Sequence, residues 1–113
     1  MKSSLKDLPE INENAQRVSR ATTWGGMEVY AGEIHETHRH TDEECQCPHW
    51  GYVLKGQLRF DIAGQEEVFN GGDLFYLPPG HSVISEVAGT QYIILMLSDE
   101  WEKEVARKES MAE

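Results

Sequence analysis

Leu58, Phe60 and Ile62 alternate with Arg59 and Asp61, the period-two pattern of a strand with one buried face. Short segments of similar length recur along the chain: Met27–Ile34, His49–Lys55, Gln57–Ile62, Gln65–Phe69, Asp73–Leu77, His81–Val87 and Thr90–Leu97. They are separated by Lys55-Gly56, Ala63-Gly64, Asn70-Gly71-Gly72, Pro78-Pro79-Gly80 and Ala88-Gly89. Glycine supplies the positive φ of tight hairpins, and Asn-Gly is the strongest short hairpin signal. Tyr92–Leu97 is apolar on both faces, which predicts a strand in the middle of a sheet or under a helix. Many short strands with no helix between them predict an all-β antiparallel sandwich or barrel.

The two ends read differently. Residues 1–23 are polar and weakly patterned, and Pro9 with Asn12 and Asn14 opposes a long helix. They predict an N-terminal arm with one helical turn, laid over the body. Residues 98–109 predict the one helix: Ser98 caps it, Asp99 and Glu100 suit its positive end, and Arg107 and Lys108 its negative end. Trp101 and Val105 are four apart and are expected to face the body. The division is arm 1–23, barrel 24–97, and helix with tail 98–113. A chain of 113 residues buries about two-thirds of its unfolded surface, enough for one core.

Charge narrows the partners. Twenty acidic and ten basic residues give a net charge of −10, and no basic cluster is present to replace the counterions of a nucleic acid or an anionic membrane. The longest apolar run has six residues, Tyr92–Leu97, against about 20 for a membrane helix. The opening residues lack the apolar core of a signal peptide. A cytoplasmic location is the expectation.

The candidate chemistry is concentrated. Four of the five histidines, His35, His38, His40 and His49, and both cysteines lie within residues 35–49; the fifth is His81. Residues two apart on a strand share a face, so His38 and His40 aim into one space, the way a sheet offers two nitrogens to a metal ion at ~2.0–2.1 Å. His35 has the opposite parity and is placed outside. Cys45 and Cys47 are one residue apart, poorly spaced for a disulfide. They read as reduced thiols; an extra thiolate ligand, a reactive thiol, or a closed zinc site with the nearby histidines is the sharper alternative. Tyr30, Phe60, Tyr76 and Trp50 are candidates for a pocket wall, although aromatic residues in a small barrel more often form core. No Ser-His-Asp order, phosphate-cradling loop or dinucleotide fingerprint is present.

Two stretches, Gly32–Gly56 and Gly72–His81, resemble the paired motifs of the cupin superfamily, in its small single-domain form. The second motif meets the expected spacing at Gly72, Pro78 and Gly80. The first has two registers. Gly32, His38, His40, Glu44 and Gly51 fit it literally. Closing it instead at Gly56, between HWGYVLK and QLRFDI, puts His49 where Glu usually stands, and turn chemistry favours this version. Cys45–Val53 and the Pro78-Pro79-Gly80-His81 ending also resemble a set of uncharacterised bacterial cupins. The sequence departs from the general pattern at Val83, where the second motif expects His, and at Val87, where it expects Asn. His81 lies two residues earlier on the same strand face, about 6.6 Å away along the strand.

The resemblance implies an antiparallel double-stranded β-helix, the cupin jelly-roll barrel. It implies a mononuclear metal site held by His38, His40, His49 and His81, suited to divalent Fe, Ni, Cu or Zn. The function it implies is a metalloenzyme on a small oxygenated metabolite, of dioxygenase, isomerase or lyase type, with Glu44 as a weak candidate catalytic residue. The alternatives are a non-catalytic binding module for a small molecule or metal, and a structural zinc protein using Cys45 and Cys47. A homodimer is the expected assembly.

Overall fold

A computed structural model describes residues 2–13, 16–39 and 44–111, with residues 12, 13, 38 and 39 described by their backbone alone. Among the described residues, ten strands precede one α-helix: β1 (Glu10–Glu13), β2 (Arg17–Trp24), β3 (Met27–Ile34), β4 (His38–Arg39), β5 (His49–Lys55), β6 (Gln57–Ile62), β7 (Gln65–Asn70), β8 (Leu74–Leu77), β9 (His81–Glu86), β10 (Gln91–Leu97) and α1 (Ser98–Met111). They form a six-stranded sheet, β1-β2-β3-β10-β5-β8, and a four-stranded sheet, β4-β9-β6-β7. Their ladders are antiparallel. This is the all-β antiparallel architecture that the turn spacing predicts, in the jelly-roll form that the cupin resemblance implies.

The strand apolar on both faces lies inside the larger sheet, as expected. β10 pairs with β3 on one side and β5 on the other. Its Tyr92, Ile94 and Met96 are buried between the sheets, while Leu95 and Leu97 look outward. Across the core, Ile34, Val53, Leu58, Phe60, Phe75 and Leu77 meet them. Gly51 carries no side chain because Phe75 occupies the space: a Cβ there would lie 2.2 Å from its ring.

The turn at Gly56 sets the register of β5 against β6. Its φ is +94°, and a Cβ would lie 2.2 Å from Thr90 Oγ1 and 2.5 Å from Thr90 Cα. Thr90 is fully buried; its hydroxyl accepts from Gln57 N at 2.9 Å and donates to Gln57 O at 3.2 Å. The hairpin is thereby docked onto the start of β10.

The N-terminal segment departs from a simple arm. The single helical turn is present, as a 3-10 turn at Leu5–Asp7, but β1 and β2 extend the larger sheet. β2 pairs with β3 along its whole length, from Arg17↔Ile34 to Trp24↔Met27. The hairpin closes at Gly25-Gly26, both with positive φ, a two-residue signal available in the sequence. Polar composition disguised an edge hairpin that buries few of its own residues. Leu8 pins the preceding turn as a buried residue, and Arg20 donates to its carbonyl at 3.1 Å.

The helix also differs in its buried face. The Ser98 hydroxyl donates to Glu28 Oε2 at 2.7 Å, tying the helix start to β3. Trp101 packs on the core as expected, but Val105 is 36% exposed and Glu104 is the buried residue. Its carboxylate accepts from Arg107 Nε at 2.6 Å, from Arg107 Nη2 at 2.8 Å and from Gln46 N at 2.8 Å. Arg107 Nη2 also donates to Glu44 O at 3.0 Å. A buried carboxylate is tolerable only when satisfied in this way. No helix among the described residues is long and apolar enough to cross a membrane.

Two outcomes are expected. Gly56→Ala and Gly64→Ala both place alanine at positive φ, but only Gly56 meets a neighbour. Urea unfolding should show about 1 kcal/mol lost at Gly64 and 3 or more at Gly56. The second concerns acid. Hydrogen bonds from Arg107 hold the Glu104 carboxyl down to about 2, against the opposing effect of burial. A depressed folded-state value stabilises above the unfolded value near 4.5, and the gain, about 3 kcal/mol, disappears as pH falls from about 5 to about 2. Glu104→Gln should lower stability near neutral pH and flatten the acid limb of a stability–pH curve; an unchanged limb would sink this account.

Candidate metal centre

β5 and β9 deliver two imidazoles to one point. His49 opens β5, where alternation turns His49, Gly51 and Val53 inward and Trp50 and Tyr52 outward. His81 opens β9 immediately after Pro78-Pro79-Gly80. The rings sit edge to face with centroids 4.7 Å apart. His49 is 8% exposed and His81 2%, so His81 is an interior residue and not a rim residue.

The third member is Cys45. An isolated bridge joins it to His81: Cys45 N donates to His81 O at 2.8 Å, and Gly80 N donates to Cys45 O at 2.8 Å. Its Sγ lies 3.6 Å from His49 Nε2. One ligand atom from each of Cys45, His49 and His81 falls within 4.8 Å of the others, close enough for all three to hold one ion.

The ring nitrogens have separate roles. His81 Nδ1 lies 2.8 Å from Pro78 O. A carbonyl only accepts, so Nδ1 carries the proton and Nε2 keeps its lone pair. Among the described residues, His49 Nδ1 is buried with no hydrogen-bond partner, a cost that an interior site rarely carries without a water, a ligand or an ion. Burial, then the neighbouring His81, lowers His49 to about 4, and burial lowers His81 as well. Both imidazoles are therefore neutral near pH 7, the form that binds metal. Burial pushes the Cys45 thiol up and the Cys47 thiol up to about 12. That is the reverse of what a reactive cysteine needs.

The residues expected at the site separate into groups. His49 and His81 come together. His38 lies on β4 opposite Glu86 of β9, its side chain not described, and His40 lies outside the described residues. Glu44 is exposed, its carboxylate accepting from Gln46 Nε2 at 3.3 Å, and it is not among the cavity's lining residues. Cys47 Sγ turns to Pro48 O at 3.6 Å and stands apart from the cluster. His35 is outside, beside Glu33.

The cluster opens into a cavity of about 430 Å³ between the sheets. Leu58, Phe60, Ile94 and Met96 supply apolar wall. Tyr30 and Phe60 line it, whereas Trp50 and Tyr76 pair on the outer surface with centroids 5.4 Å apart. Arg17, Glu86 and Tyr92 add a polar region that strand-by-strand reading missed. Arg17 lies 3.6 Å from the buried Glu86 carboxylate; burial opposes its charge, but Tyr92, Glu86 and Tyr30 hold it protonated. The parity of β2 could have pointed to Arg17, had residues 17–24 been read as a strand.

Residues 26–91 match the cupin domain family. The chain belongs to the cupin family. Solved structures agree on the fold. An RmlC-like cupin from Shewanella frigidimarina superposes with a TM-score of 0.65 at 13% identity, over 84% of this chain and 88% of that one. KdgF from Halomonas sp. gives 0.64 at 14% identity, over 80% and 86%. The polyketide cyclase RemF from Streptomyces resistomycificus gives 0.64 at 13% identity, over 87% and 79%. A search of curated protein sequences gives no match. At these identities the cupin likeness carries the fold, and chemistry has to come from the site itself.

Proposed function

We propose that this cupin holds one divalent transition-metal ion at the His49–His81 end of its cavity and acts there on a small oxygenated metabolite. The observation that carries this reading is a pair of buried, neutral imidazoles with ring centroids 4.7 Å apart, opening into a cavity of ligand size. His38 and His40 are the further ligands proposed for the ion. When bound, the ion supplies Lewis acidity toward a carbonyl, enol or carboxylate oxygen. The protein's own part is to orient and to exclude water. Pro78 O fixes the tautomer of His81, so its Nε2 faces the site as an acceptor. Phe60 lies against His81 at a centroid distance of 6.1 Å and keeps that side apolar. Arg17 gives the same cavity a cation for an anionic substrate group.

A binding module without turnover is the second reading. It is favoured by the position of Glu44, which is exposed and leaves the site without the proton-transfer group expected from the sequence.

We also propose that two copies pair through the outer face of the six-stranded sheet. Leu74 is 81% exposed, Tyr76 48% and Trp50 42%, with Tyr52, Leu54, Leu95 and Leu97 beside them. The register places Trp50 against Tyr76 and against Leu95, and Tyr52 against Leu74. The face therefore presents neighbouring exposed apolar side chains on the adjacent strands β10, β5 and β8, the kind of surface that marks a protein–protein contact.

Elemental analysis tests the first proposal. Near-stoichiometric metal is expected in the native protein and in Glu44→Gln, and loss in a folded His49→Ala. Absence of metal even after reconstitution would remove the enzyme reading and leave the binding module. Oxygen uptake with Fe(II) and a panel of diketone, catechol and thiol substrates then reads the dioxygenase version; a flat trace across the panel removes it. Light scattering tests the assembly, with Leu74→Asp expected to convert a dimer to a monomer, and a native monomer overturning the proposal.

A further inference from the structure

Cys45 has no place in the four-histidine site, yet the fold spends several interactions on positioning it. Its backbone is bridged to Gly80 and His81 on both sides of the peptide. The residue after it, Gln46, donates its N–H to the buried Glu104, and the residue before it, Glu44, accepts from Arg107. Helix α1 thus grips the chain on either side of Cys45, and the β9 turn grips Cys45 itself. The result is a thiol 3.6 Å from His49 Nε2, facing two imidazoles. Cys47, two residues on and even more deeply buried, receives no such placement; its Sγ contacts the Pro48 carbonyl.

We propose that Cys45 is a thiolate ligand of the metal ion bound by His49 and His81, and that the Glu104–Arg107 pair of helix α1 is the positioning device for it. This rests on the metal-binding reading above. The approach of one ligand atom from each of Cys45, His49 and His81 to within 4.8 Å of the others is the geometric sign of a shared ion. On binding, the Cys45 S–H proton leaves to solvent and the sulfur electron pair forms the bond to the metal, with no change of oxidation state. A mixed nitrogen–sulfur set shifts preference toward zinc and copper and away from the oxygen-seeking magnesium and manganese.

Zinc and cobalt(II) are the probes, added to metal-stripped full-length protein. X-ray absorption of the zinc form should show one sulfur neighbour at about 2.3 Å, a readout that needs no variant. Cobalt(II) should give a thiolate-to-metal charge-transfer band in the near ultraviolet. Cys47→Ser should keep the band. Cys45→Ser, nearly isosteric, should bind cobalt without it and bind zinc about tenfold or more weakly. Metal bound with no sulfur neighbour, or a band that survives Cys45→Ser, overturns this proposal and leaves the histidine site standing. If neither ion binds, the metal-binding reading fails and takes this proposal with it.

Discussion

The inward face of β5 is the constraint on which the site depends. Side chains on a strand alternate, so a one-residue slip would send His49 to solvent and bring Trp50 inside. The slip is prevented at both ends of the strand. Gly56 docks against the fully buried Thr90, where no side chain could fit. Gly51 admits the Phe75 ring, which stacks on Phe69 at 4.7 Å. The histidine is therefore aimed by packing some distance from it, and its desolvation follows from the same packing.

Helix α1 solves a different problem. The segment from Glu44 to Pro48 makes one isolated bridge rather than a ladder, so the sheet alone gives it few partners. Glu104 and Arg107 supply them with charge-assisted hydrogen bonds between a buried carboxylate and a half-buried guanidinium. The carboxylate is affordable only because its donors come from both the helix and the loop. The exposed acidic face of the helix does not take part, which is why net charge says nothing about this contact.

The cavity combines two kinds of chemistry behind an apolar wall. One region offers neutral donors, the two imidazoles. Another holds Arg17 beside Glu86 and Tyr92, with charge retained in spite of burial. Arg17 and Lys108 stand against Glu28 and Glu86 along the cavity wall, so the field inside is set by these local groups and not by the net charge of −10 on the whole chain.

Much of the fold was legible from adjacent residues. Asn70-Gly71-Gly72, Pro78-Pro79-Gly80 and Lys55-Gly56 mark turns because φ preferences are local, and the strand limits followed from them. The central place of Tyr92–Leu97 was legible because a run apolar on both faces favours the interior of a sheet, although Leu95 and Leu97 stay exposed on the outer face. The strands β1 and β2 at the end of the larger sheet were not, since they bury little and show weak alternation; only Gly25-Gly26, the turn from β2 into β3, carried a signal. Closing the hairpin at Gly56 made the strand position of His49 and the loop position of Glu44 legible. What only the tertiary structure decided was which donors meet: Cys45 with His49 and His81, Gln46 with Glu104, and Arg17 with Glu86 across 69 positions of sequence. Such meetings depend on how two sheets and a helix close on one another, a sum of many small packing choices that no local stretch of sequence encodes.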